Sequence, residues 1–176
     1  LLSHILKKYA HIQFGLLASP RGVTVTVRCW FPSDSQSSMK ETSPFLSEWE
    51  HLVTQVRNSL GPWLYSEDER TMEEIVGELL ENCAWTIGLA ESCTGGLIAH
   101  RLTEVPGCSL YLDRGVVSYS NQSKKEFLGV SALLLRRYGA VSAQVAKAMA
   151  QGIRVRRRTD VGVGGTGVAG PGGGTV

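Results

Sequence analysis

Paired cysteines are missing from this sequence. Cys29, Cys83, Cys93 and Cys108 stand singly, without the CxxC spacing of a structural zinc site, so they read as reduced thiols of a cytoplasmic protein and neither a metal nor a cofactor is expected. An apolar run of about 18 residues is also lacking, as is a signal peptide, which argues against a membrane span and against secretion. Charge of one sign is scarce: 18 Lys and Arg against 16 Asp and Glu leave a formal net charge of +2, so bulk electrostatics give no reason to expect a nucleic-acid or membrane partner. The largest basic run, "RVRRR" at residues 154–158, has no interleaved aromatics and ends a long helical pattern. It reads as solvated charge complementing a helix dipole.

What remains is a 176-residue chain, 43% hydrophobic, large enough for one or two cores. Residues 1–66 give a mixed pattern. A short helical start at 2–9 precedes "GVTVTVRCWF", in which Val23, Val25 and Val27 alternate with polar residues as in a half-buried strand. A polar loop at 32–44 leads to Phe45, Trp49, Leu52, Val53, Val56 and Leu60, spaced for a helix that Gly61 and Pro62 end. This is a small α+β domain, joined by "SEDERT" to a second one at 67–176.

The second domain opens with Thr71 and Glu74 as a capping box and an apolar stripe of Met72, Ile75, Val76, Leu79 and Leu80. Strands are expected at 85–90, around 115–119 and near 160–163. Helices are expected at about 94–102, from a cap near Asn121, and in two further stretches, the second running from Ser142 through Ile153. Strands alternating with helices predict an α/β domain with a largely parallel sheet. Three stretches follow the strands: "ESCTGG", "YSNQSK" and "GTGVAGPGGG". In a parallel sheet all three share one rim, where such folds bind ligands.

The first stretch joins small polar residues to a helix start, whose unpaired N–H groups can hold an anion or a developing oxyanion. Gly95 and Gly96 let that backbone approach a ligand. Ser92 is a candidate nucleophile; alternatively Ser92 or Thr94 simply caps the helix. Cys93 is the rival nucleophile. His4, His11 and His51 lie in the first domain, and His100 falls opposite an apolar stripe, so the base for either must be something other than imidazole. Lys124 is the candidate, with Tyr119 and Ser120 at the strand end, since a desolvated lysine can act as a general base; otherwise Lys124 and Lys125 are helix-surface charges. The third stretch carries Thr166, Gly167, Gly170 and Pro171 directly after a strand, yet it lacks both the Lys-Ser/Thr ending of a Walker loop and the spaced dinucleotide fingerprint.

Together, "AESCTGGLIAHRLTEVPGCSLYLDRGVVSYSNQSKKEFLGV", "YGAVSAQVAKAMAQGIR" and "GTGVAGPGGGT" resemble the C-terminal domain of the CinA (competence/damage-inducible protein) family, from about Thr71 onward. The resemblance implies an α/β/α layered domain that hydrolyses nicotinamide mononucleotide to nicotinic acid mononucleotide and ammonia, in pyridine nucleotide recycling. By motif it implies Ser92 as nucleophile, Lys124 as its base with Tyr119 nearby, and Thr94, Gly95, Gly96, Thr166 and Gly167 as groups that bind and orient the substrate. A homodimer is a further family-based expectation. Residues 1–66 resemble the KH-like linker domain of longer CinA proteins, although no GxxG loop occurs there, so RNA binding does not follow. The chain begins at Leu1 rather than Met and stops at Val176, so it reads as cut at both ends. Family members continue past this point with strands and a helix bearing basic residues. That makes a catalytically inactive nucleotide-binding or interaction module the alternative reading.

Overall fold

The computed structural model describes residues 2–9, 12–29 and 44–170. Most of the expected polar loop, the end of "GVTVTVRCWF" and the glycine run at 172–174 lie outside them. The chain forms two compact units that divide between Met72 and Glu73.

In the first unit, α1 (Ser3–Lys8) precedes β1 (Gln13–Ser19) and β2 (Gly22–Arg28), and α2 (Pro44–Leu60) follows. The strands pair antiparallel from Gln13 opposite Arg28 to Ser19 opposite Gly22. Sequence patterning misses β1 because Leu16 and Leu17 are adjacent, which breaks the period of two, and both are exposed. Val27 packs with Phe14 onto a core of Ile5, Tyr9, Ile12 and Leu52, joined by Trp49 and Val56 from α2. Val23, expected to be half-buried, is 64% exposed.

The second unit holds α3 (Met72–Cys83), β3 (Ile87–Glu91), α4 (Leu97–Thr103), β4 (Leu112–Val117), α5 (Asn121–Leu128), α6 (Ala132–Tyr138), α7 (Ala143–Arg157) and β5 (Val161–Gly164). Its sheet has the order β4-β3-β5, and both pairings are parallel. Serines start three of the helices: the hydroxyls of Ser120, Ser131 and Ser142 accept the N–H groups of Ser123, Leu134 and Val145, each satisfying a donor the helix itself cannot pair.

Two cores flank the sheet, which makes the unit an α/β/α sandwich. Ile87, Leu89, Val161 and Val163 face Leu80 of α3 and Leu102 of α4. On the opposite face Ala90 meets Leu128, Leu135, Val145, Met149 and Ile153 from α5, α6 and α7. The alternation "VGVG" of β5 explains how close α7 comes. A Cβ at Gly162 would lie 2.2 Å from the Ala150 carbonyl oxygen, and one at Gly164 would lie 2.2 Å from that of Ala146. Helix backbone cannot retreat as a side chain can. Gly162→Ala is therefore expected to lower stability by about 3 kcal/mol, read as a lower urea midpoint; an unchanged midpoint would contradict this packing account.

Among the described residues no helix is long and apolar enough to cross a membrane.

Candidate active site

Because β3, β4 and β5 run in one direction, the segments that leave their C-terminal ends meet on one rim. Ser92 follows β3 directly and is 6% exposed. Lys124 lies in the first turn of α5 and is 1% exposed. Its amino group reaches across the rim to Ser92 Oγ at 2.9 Å. It also donates to the carbonyl oxygens of Ser118 and Tyr119, each at 2.8 Å.

This arrangement suits a neutral amine as well as an ammonium. An ammonium would fill all three acceptors. In the neutral form two N–H groups go to the two carbonyls, which leaves the lone pair for the proton of Ser92. Burial pushes the Lys124 pKa below its ordinary value, with Cys93 pulling the other way. The physical reason is that the charged form pays for desolvation and the neutral form does not. Lys124 is thus a buried partner of Ser92 and not a helix-surface charge.

Neither Ser92 nor Thr94 caps α4, whose N-cap residue, Gly96, lacks a side-chain cap bond. The cap comes from Glu91 instead. Its carboxylate accepts the N–H of Gly96 and Ile98 at 3.1 Å each through Oε2, and that of Ala99 at 2.8 Å through Oε1. The helix start anticipated as an anion site is therefore already filled by a side chain of the protein. The helix also begins later than its pattern suggests, at Leu97, because Gly95 and Gly96 turn the chain with φ of +62° and +102°, a region costly for other residues.

Each residue expected at the site has a definite place. Thr94 Oγ1 is buried without a hydrogen-bond partner. Gly95 is exposed, and a Cβ there would meet nothing within 4 Å, so the backbone is open to approach. A Cβ at Gly96 would touch Val117. The Tyr119 ring is 73% exposed; what Tyr119 gives to Lys124 is its carbonyl. The N–H of Gly165 extends the sheet by donating to the Ala90 carbonyl. Thr166 then donates its hydroxyl to the Ala140 carbonyl at 2.9 Å, which ties the third loop to the turn before α7. At Gly167 a Cβ would sit 3.1 Å from Cys93 Sγ, so that loop packs on the thiol beside Ser92. His100 is far more exposed than any of the buried pair and lies 3.8 Å from Glu104. Among the described residues no cluster of His, Cys, Asp or Glu is arranged to hold a metal.

Sequence reasoning gave no role to Glu91 or Ser118, both of which are at most 1% exposed. Glu91 had a legible signal: a carboxylate ending an apolar strand a few residues before a helix start. Ser118 had none, since its contribution is a backbone carbonyl.

Residues 69–176 match a family described as the CinA C-terminal domain. A competence-damage inducible protein of Moorella thermoacetica is 44% identical over 151 residues, covering 86% of this chain and 35% of that protein. A CinA-like protein of Chlorobium limicola is 46% identical over 124 residues, covering 70% of this chain and 29% of that protein. The chain thus spans about a third of the length of these curated relatives. Among solved structures, the competence/damage inducible protein CihA from Agrobacterium tumefaciens superposes with a TM-score of 0.52 at 40% identity, over 58% of this chain and 62% of that one.

Proposed function

The chain belongs to the CinA family through its C-terminal domain, and on that premise we propose that it is a serine amidohydrolase acting on the carboxamide of nicotinamide mononucleotide. The observation that carries the reading is the buried 2.9 Å contact between Lys124 Nζ and Ser92 Oγ. A solvated lysine would be protonated near neutral pH and useless as a base, whereas this one is desolvated and its pKa depressed.

Lys124 takes the proton of Ser92 as Oγ attacks the carboxamide carbon. The pyridinium ring of the substrate withdraws electrons from that carbon and favours attack. The backbone N–H groups of Cys93 and Thr94 are the proposed donors to the oxyanion that forms, next to the buried Thr94 hydroxyl, which has no hydrogen-bond partner. Collapse breaks the C–N bond, Lys124 returns its proton to the departing nitrogen, and ammonia leaves a Ser92 ester. Water, deprotonated by Lys124, then hydrolyses the ester to the carboxylate and restores the serine.

The test is ammonia release from nicotinamide mononucleotide across pH. Only neutral Lys124 can accept the serine proton, so kcat/KM is expected to fall about tenfold per pH unit below the depressed lysine pKa and to level off above it. Stability follows the same sign: between the folded and unfolded pKa values the unfolded chain binds more protons at this lysine, so its contribution improves as pH rises. A folded protein that releases no ammonia at any pH would refute the reading.

A further inference from the structure

We infer that Glu91 is a positioning residue that holds both members of the Ser92–Lys124 pair in register, an inference that rests on the serine amidohydrolase reading above. Glu91 closes β3 and is 1% exposed. Its side chain and its main chain serve different halves of the site.

The carboxylate reaches forward past the serine. By accepting the N–H groups of Gly96, Ile98 and Ala99 it closes residues 91–96 into a ring, with Ser92 at its start and the two left-handed glycines at its end. Neither glycine carries a side chain, and a Cβ at Gly95 would touch nothing. To the loop's own backbone bonds, from the Gly95 and Leu97 N–H groups to the Ser92 and Thr94 carbonyls, the carboxylate adds three of the stronger, charge-assisted kind. The Glu91 carbonyl works sideways. It accepts the N–H of Ser118 at 2.8 Å and the Ser118 hydroxyl at 3.4 Å. Ser118 in turn presents its carbonyl to Lys124 Nζ. One residue therefore ties the serine loop to the strand end that holds the lysine.

Filling the α4 start with a carboxylate has a second consequence. Of the backbone donors around Ser92, those of Gly96, Ile98 and Ala99 are committed to Glu91 and those of Gly95 and Leu97 to the Ser92 and Thr94 carbonyls. A substrate phosphate would meet the Glu91 carboxylate at this helix start and is expected elsewhere on the rim.

The experiment compares wild type with Glu91→Gln, which keeps the size and places an NH2 against backbone N–H donors. Two readouts are taken on folded protein: steady-state ammonia release from nicotinamide mononucleotide, and the labelling rate of Ser92 by a fluorophosphonate probe, which needs the activated serine but not the amide substrate. The expected result is a drop of roughly 30-fold in kcat with KM within about twofold, and a parallel drop in labelling. Melting is followed alongside; should Glu91→Gln not fold, Glu91→Asp, which keeps the charge but falls short of Ala99, is read in the same way. Glu91→Gln protein with wild-type kcat and labelling overturns the inference. Loss of the fold in both variants, with unchanged specific activity of whatever folds, overturns it too. Wild type that fails to label at Ser92 overturns the serine amidohydrolase reading itself.

Discussion

Lys124→Met should reduce ammonia release by about 10³-fold while the protein stays folded. Methionine matches the length of the lysine stem and fills the same buried space, so the loss falls on the base. General acid–base catalysis is worth about 10²–10⁴-fold, and 10³ corresponds to about 4 kcal/mol of transition-state stabilisation. Two carbonyls, those of Ser118 and Tyr119, lose a donor, and the melting temperature is expected to drop by a few degrees on that account. The loss should appear in kcat and not in KM, because the amino group acts on the serine proton. Lys124→Met protein with more than a tenth of wild-type turnover would mean that some other group is the base.

The second large effect separates the two candidate nucleophiles. Ser92→Ala is expected to lower kcat by about 10⁴-fold or more, since no neighbouring group can form the ester. Cys93→Ser should stay within about tenfold of wild type. Cys93 Sγ packs on Gly167, and it is the serine, not the thiol, that Lys124 Nζ contacts. Serine and lysine act as a unit, so Ser92→Ala combined with Lys124→Met should be little slower than Ser92→Ala alone. Activity lost in Cys93→Ser and kept in Ser92→Ala would reverse the assignment.

Much of the second unit is readable from periodicity. The helical spacing of α3, the helix start at Ser142 and the alternation of strands with helices all reflect local physics, although α3 turns Met72 and Leu79 of the expected stripe to solvent and buries Glu73 and Gly77 along with Leu80. A parallel sheet then requires the three motif stretches to share a rim. Strand ends shifted by two or three residues, as in β4 at Leu112–Val117, because register depends on partners distant in sequence. The strand β1 was invisible because its identity comes from pairing with β2, not from its own pattern.

At the site, residue types were legible and connections were not. Ser92 could have been a cap and Lys124 a surface charge; what decides is the fold, which buries both and sets them 2.9 Å apart. Glu91 is the reverse case. No role is read for its carboxylate in the sequence, yet it takes the capping role open there to Ser92 or Thr94. Thr166, expected to touch substrate, has its hydroxyl engaged with the Ala140 carbonyl.

The most direct measurement of the central claim is the mass of the protein after turnover with nicotinamide mononucleotide is quenched in acid. The account predicts a nicotinoyl nucleotide ester that peptide mapping places on Ser92 and that is absent from Ser92→Ala. Ammonia release at full rate with the adduct on Cys93, or with no covalent adduct under conditions where ester hydrolysis is slow, would contradict it.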